Sequence, residues 1–204
     1  MKKILLFSLI LISLNLACSD SFATIYSGTK IQKDFRYTTQ RDRNARIKVY
    51  KEYLEQNKVF EVDHKVTKET FDKYKEDLNY RDNIKFLKFG TELQNKDYVV
   101  KGNYYPTADH ILANYSVIYD EDPKSEYIYD LFGNLFQVVV LVGEDYIRPH
   151  YKITYSMNGY LQKVSFFAID GYEYIFLASG NLQGVVIDGK LYNRIGRFVE
   201  IWLL

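Results

Sequence analysis

Cysteine is almost missing from this chain: there is one, Cys18, in 204 residues. A single thiol closes no loop inside the molecule, so no disulfide framework holds the fold and burial has to supply its stability. Proline is scarce as well, three in all, which leaves long stretches free to pair as strands. No sign of charge dominates. The 27 bases nearly balance the 26 acids, which excludes the strongly basic surface of a general nucleic-acid binder. The apolar run from Ile4 to Leu16 falls short of the roughly 20 residues that span a bilayer.

Catalytic and metal-binding signatures are also lacking. The three histidines, His64, His110 and His150, form no HExxH motif and no Cys/His cluster, so a zinc signature is absent. Asp109 and His110 are neighbours, and on a strand neighbours point to opposite faces. No Gly-x-Ser-x-Gly elbow occurs, and Ser179-Gly180 reads as a turn. The acids Asp120, Asp122, Glu126 and Asp130 have the oxygen chemistry that calcium prefers, but glycine is missing from the sixth place of an EF-hand loop. They read as a solvated hairpin loop. A cysteine nucleophile is excluded because Cys18 lies at or before the mature N-terminus. No catalytic residue, metal ligand or cofactor is therefore expected.

What is present begins with an address. Met1-Lys2-Lys3, the apolar run and then small or polar residues describe an export signal. Leu14-Asn15-Leu16-Ala17-Cys18 resembles the lipobox of bacterial lipoproteins, with a small residue before the cysteine; Asn15 stands where that family prefers an aliphatic residue. The resemblance implies removal of residues 1–17, lipid attachment at Cys18 and retention at the cell envelope, on an outer-membrane or periplasmic surface. The alternative is a cut after Ala23, in Ser21-Phe22-Ala23, which releases a secreted protein. The signal holds Lys2 and Lys3 and no acid, so the mature chain carries 25 bases against 26 acids, a net charge of −1. About 180 residues remain, enough for one domain with a sizeable core.

Residues 24–40 read as a linker and 41–204 as a single domain. Between Lys30 and Lys51 stand eight bases (Lys30, Lys33, Arg36, Arg41, Arg43, Arg46, Lys48 and Lys51) against Asp34 and Asp42. A polybasic stretch near a lipid anchor gains roughly 1 kcal/mol per charge at an anionic bilayer, so Arg41, Arg43 and Arg46 are candidates for contact with anionic headgroups. A solvated helix face is the plainer alternative. From Arg41 to Asn57, Ala45, Ile47, Tyr50 and Leu54 recur at helical spacing. Thr67 offers an N-cap to a second helix whose stripe is Phe71, Tyr74 and Leu78. Beyond Arg81 the chain turns strand-like: Ile84–Phe89, Tyr98–Val100 and Ile111–Tyr119 read as strands, and Phe198 to Leu203 as a closing one.

Tyrosine and phenylalanine are abundant, 20 and 13, and suit pleated, half-buried surfaces. They also suit a surface that grips carbohydrate or peptide. From Tyr127 an aromatic strand, a turn at glycine and x-Leu-x-x-Val come three times, with glycines at Gly133, Gly159 and Gly180, in steps of 26 and 21 residues. Regular spacing of this size marks stacked hairpins. Asn158-Gly159 is a strong hairpin turn, and Asp170-Gly171 and Asp188-Gly189 serve as returns. Residues 127–192 resemble the bacterial MORN-like hairpin repeats, and Tyr129-Asp130-Leu131-Phe132-Gly133 is similar to the YD-type repeats. Both resemblances imply an antiparallel meander used for binding or structure, and neither carries a catalytic residue. The expected fold is α+β, two N-terminal helices packed on an antiparallel β-meander with C-terminal hairpin repeats. The expected function is that of an exported cell-envelope lipoprotein acting as a non-enzymatic binding or structural module through tyrosine-bearing strand faces. Its partners would be the membrane through its lipid and an envelope protein or glycan, with no nucleic acid. The alternative is a small secreted hydrolase or protein inhibitor whose site comes together only in three dimensions.

Overall fold

The computed structural model describes residues 34–61, 68–105 and 109–201. The export signal, Cys18, the alternative cut after Ala23, Lys30, Lys33, His64 and Thr67 lie outside the described residues. Eleven strands form one sheet in which every strand pairs antiparallel with the next in chain order. They are β1 (Glu92–Gln94), β2 (Tyr98–Tyr104), β3 (Leu112–Tyr119), β4 (Ser125–Tyr129), β5 (Leu135–Val142) and β6 (His150–Ser156), followed by β7 (Leu161–Phe167), β8 (Glu173–Leu177), β9 (Leu182–Ile187), β10 (Lys190–Tyr192) and β11 (Phe198–Ile201). The order is an uninterrupted meander because each connection is short enough to return the chain beside the strand it has just left.

Period-two alternation gives the sheet two unlike faces. On one, the register runs Tyr115 to Tyr129 and Val117 to Tyr127 to Val138 to Tyr155. It continues through Tyr151 to Phe166 to Tyr174 to Val185 to Tyr192. This face is the core: Tyr115, Tyr127, Tyr129, Phe166 and Tyr174 are fully buried. A 3-10 turn at Phe35–Tyr37 and, among the described residues, three α-helices add to it: α1 (Gln40–Gln56), α2 (Lys68–Tyr74) and α3 (Tyr80–Phe86). Thr39 caps α1; its hydroxyl oxygen accepts from Asp42 N–H at 3.2 Å and its hydroxyl donates to the Asp42 carboxylate at 2.8 Å. Tyr50 and Leu54 of α1, Phe71 and Tyr74 of α2 and Phe35 of the 3-10 turn all join the same core.

One turn builds five of the ten hairpins. In each, a glycine N–H donates to the carbonyl three residues back, and the glycine sits in the left-handed region. Gly133, Gly159 and Gly180 do this at φ 82°, 77° and 73°, and the register slips by one residue beside each turn. The slip places Leu135 opposite Tyr129, Leu161 opposite Tyr155 and Leu182 opposite Phe176, one equivalent core-side position in three hairpins. The same turn recurs at Gly196, where Tyr192 meets Phe198, and at Gly171. Asp188-Gly189 differs: both residues have positive φ, 51° and 69°, as a two-residue hairpin loop demands.

Several expectations need correction. The α+β arrangement of two N-terminal helices packed on a meander does not hold. The chain is mainly an eleven-stranded sheet with three short helices, one of which lies where a strand was expected. The alternation of Ile84–Phe89 fits that strand, but Tyr80, Ile84 and Leu87 share a helical stripe that packs on the core. A six-residue apolar-polar alternation fits either period, and the preceding Tyr80-Arg81-Asp82-Asn83 extends the helical one. The second helix ends at Tyr74, so Leu78 is not part of its stripe and is 87% exposed. The tyrosine-bearing face is interior rather than contact surface: its rings pack with Phe35, Tyr50, Leu54, Phe71 and Tyr74 in one core.

Candidate functional site

The opposite face of the sheet is polar. Its rows include Lys101–Ser116–Ile128–Gln137 and Val139–Thr154–Lys163. Another row is Lys152–Ser165–Ile175, and Phe167 stands beside Glu173. Buried side chains of the helices belong to the core on the other side. Yet Ser116, Thr154, Ser165 and Glu173 are only 2–8% exposed. A flat, bare sheet would leave such residues wet. They are recessed because the sheet curls, so that side chains from β2 to β8 line a single open concavity of about 700 Å³. Strand twist accumulated over seven antiparallel neighbours produces curvature of this kind.

The concavity holds two largely buried groups of opposite charge, Glu173 and Lys163. Burial pushes the Glu173 carboxyl up, against the Ser165 hydroxyl that hydrogen-bonds it and the positive Lys163, Lys152 and Arg148 around it. Burial likewise pulls the Lys163 ammonium down, against the attraction of Glu173. Desolvation is the larger cause for both, so each ion is held where water no longer stabilises it fully. Around these two groups stand amides and hydroxyls. Asn103 donates to Asn114 at 2.7 Å and Gln137 donates to Gln162 at 2.9 Å. Tyr104, Tyr105, Phe136 and Phe167 supply ring surface along the walls. The set offers donors and acceptors in near-equal measure with little net charge, which suits a ligand that does the same.

Expected site residues fall elsewhere. His150 is buried and its ring stacks on Phe167 with centroids 4.6 Å apart, while Nδ1 lies 3.0 Å from the Ile147 carbonyl oxygen. His110 stacks on Phe89 at 3.6 Å. Neither lines the concavity. The acidic quartet does not converge. Glu126 lines the concavity, Asp122 accepts the Tyr127 hydroxyl at 2.9 Å, and Asp130 accepts from the Phe132 and Asn134 N–H groups at 2.8 and 2.9 Å. Among the described residues no group of three or more His, Cys, Asp or Glu is placed to hold a metal ion. The three arginines of α1 also separate. Arg41 is exposed and Arg46 half-buried, whereas Arg43 turns inward and donates to the carbonyls of Thr38 and Phe35. Arg43 is therefore removed from the headgroup-contact set, since its guanidinium closes the first turn of the fold. Cys18 lies outside the described residues. The turn glycines Gly133, Gly159 and Gly180 sit at hairpin ends and not in the concavity. Among the described residues no helix is long and apolar enough to cross a membrane.

A second buried acid makes the pH response testable. Burial pushes the Asp170 carboxyl up, opposed by the hydroxyl of Tyr174 at 2.7 Å, the Tyr172 N–H and the charges of Arg46 and Arg148. An acid whose folded pKa exceeds its unfolded value of about 4 adds stability below that value and loses it as pH rises through the folded pKa. Asp170 and Glu173 both have this sign. The melting temperature should therefore rise as pH falls from 8 toward 5, and Glu173→Gln and Asp170→Asn should each flatten that slope. Parallel slopes for wild type and both variants would contradict the assignment.

Compared with protein-family models, curated proteins and solved structures, the chain matches none.

Proposed function

We propose that this chain is an exported cell-envelope lipoprotein, held through Cys18, that works as a non-enzymatic binding module with the concave polar face of its sheet as the contact surface. The observation that carries the reading is the recessed floor, where Ser116, Thr154, Ser165 and Glu173 are almost excluded from solvent although they face open space. Polar groups in that position are already partly desolvated, so a ligand that hydrogen-bonds them displaces little ordered water. The balanced donors and acceptors and the ring-bearing walls favour a hydroxyl-rich, glycan-like chain over a nucleic acid, whose phosphates would call for clustered arginine. The volume lies within the range of roughly 300–1,000 Å³ usual for ligand pockets.

Titration of the mature protein with a chito-oligosaccharide tests the binding face. Thr154→Trp fills the recess and Gln137→Ala removes one amide from its wall. Each should weaken binding about tenfold or more, which corresponds to losing about 1.4 kcal/mol, while Gln137→Ala leaves the melting temperature unchanged. Unaltered affinity in both would place the contact elsewhere. The anchor is tested separately: Cys18→Ser should abolish membrane retention and fatty-acid labelling, and a variant that partitions like wild type would favour the secreted form cut after Ala23.

A second reading rests on the same floor. A carboxyl raised by burial and a lysine lowered by burial, both lining the same concavity, are in the states that an acid and a base need, which supports a small secreted hydrolase. Turnover of the bound oligosaccharide, abolished by Glu173→Gln with binding retained, would favour this reading over simple binding.

A further inference from the structure

Every second connection of an antiparallel meander falls at the same end, so the turns after β4, β6, β8 and β10 share one rim of the sheet. The centre of a hairpin turn is ordinarily Asn, Asp, Ser or Gly. Here three of the four tips, those after β4, β6 and β10, present large apolar side chains instead, while the tip after β8 is Ala178-Ser179-Gly180-Asn181. Phe132 is 77% exposed and Met157 58%, with Leu131 on the same tip as Phe132, Tyr160 on the same tip as Met157 and Ile195 on the last tip. None of them belongs to the core. At about 4.8 Å between strands, the tips spread over roughly 29 Å along the curl, so they form a row rather than a cluster that buries itself.

Charge divides the two ends. The opposite rim is acidic on balance: Asp120, Glu121 and Asp122 stand with Lys124 in one loop, Glu144 and Asp145 with Arg148 in the next, and Asp188 in the last, and its most exposed apolar groups, Tyr146 and Ile147, share a loop with two acids. In the turns after β4, β6, β8 and β10 the acid is Asp130, whose carboxylate is engaged by backbone N–H groups, and the bases are Arg194 and Arg197. The chain also enters the described fold at this rim. The Gln40 side chain donates to the Arg194 carbonyl at 3.3 Å, and the Arg36 carbonyl lies 3.2 Å from where a side chain on Gly196 would begin. The exposed Arg41 therefore stands beside the last tip. Cys18 and Asp34 are sixteen positions apart, a reach of at most about 55 Å.

We infer that this rim docks on the surface of a lipid bilayer, with Phe132, Met157 and Ile195 entering the boundary between headgroups and acyl chains and Arg41, Arg194 and Arg197 resting on anionic headgroups. Apolar side chains flanked by bases are what such a surface binds, and the acidic rim then points away from it. The strands stand upright, and the concavity opens sideways above the membrane. This rests on the reading that the protein works at the envelope, and it replaces Arg43 with two arginines that chain order alone would not have brought near Arg41.

With Cys18 acylated, a cysteine placed at a rim is the free thiol. Phe132→Cys, Met157→Cys and, on the far rim, Glu121→Cys, each labelled with an environment-sensitive fluorophore, compare the two ends in the native membrane. The labels at 132 and 157 should shift to the blue and lose most of their emission to nitroxide-bearing lipid, and the label at 121 should do neither. Equal, water-like emission from all three while the protein still sediments with membrane overturns the docking and leaves the envelope reading intact. If the protein is instead recovered soluble, anchoring fails, and the same three labels are read with vesicles of phosphatidylglycerol and phosphatidylethanolamine. Lipid quenching at 132 and 157 there sustains the docking, and its absence overturns it.

Discussion

Replacing Tyr174 with alanine should cost about 3–5 kcal/mol, a large part of the roughly 5–15 kcal/mol that holds a domain together. The reason is position. Tyr174 is fully buried at the centre of the core face, and its ring meets Tyr50 of α1 at 4.7 Å and Phe35 of the 3-10 turn at 6.0 Å. Its hydroxyl donates to Asp170 at 2.7 Å. One ring thus ties the sheet to the first helix and to the segment that leads into it. Alanine leaves a cavity that rigid strand neighbours cannot close. Tyr174→Phe keeps the volume and removes only the hydroxyl; because the Tyr50 hydroxyl still donates to Asp170 at 3.1 Å, its cost should stay near 1 kcal/mol. Urea midpoints of the two variants check this, and an alanine variant no weaker than the phenylalanine one would contradict the packing.

The second large effect is expected at Gly133. It has φ 82°, and a side chain there would begin 2.8 Å from the Asp77 carbonyl oxygen and 2.9 Å from the Tyr80 Cβ. The approach is close because the turn is stitched to the segment between α2 and α3: Asp77 N–H donates to the Gly133 carbonyl at 2.8 Å and Leu135 N–H donates to the Lys75 carbonyl at 2.9 Å. Gly133→Ala therefore adds overlap, of order 1–3 kcal/mol, to a left-handed backbone penalty of about 1–2 kcal/mol. Gly171 isolates the second effect, since its φ is 87° with open space around it; Gly171→Ala should lose only the smaller amount. Equal urea midpoints for the two alanine variants would mean that the segment between α2 and α3 does not rest on the turn.

Local chemistry made the back of the chain readable. Glycines with flanking aromatic runs place the turns at Gly133, Gly159 and Gly180, because positive φ and strand alternation are set within a few residues. The stripe of Tyr50 and Leu54 identifies α1 for the same reason. The segment Ile84–Phe89 misleads because six residues fit two periods, and its helix is selected by packing of Tyr80, Ile84 and Leu87 on a sheet formed later in the chain. Arg43 looks like any surface base until Thr38 and Phe35 turn their carbonyls toward it. The concavity was half legible: Lys152, Thr154, Lys163 and Ser165 alternate with Tyr151, Ile153, Tyr155 and Val164, so a polar face follows from the strands. Which face curls inward, and that Glu173 and Lys163 line one concavity, depend on how the strands pair and curl, and no single strand carries that information. The strand face richest in tyrosine, which composition alone marks as a contact surface, is interior.

Tyrosine nitration of the native protein, mapped by peptide mass, tests most directly that the tyrosine rows are core and that the contact surface is the opposite, polar face. Tyr37, Tyr146 and Tyr160, 71–84% exposed, should react, while Tyr115, Tyr127, Tyr129 and Tyr174 remain unmodified until the chain is unfolded. Ready nitration of those four in the folded protein would contradict it and turn the sheet around.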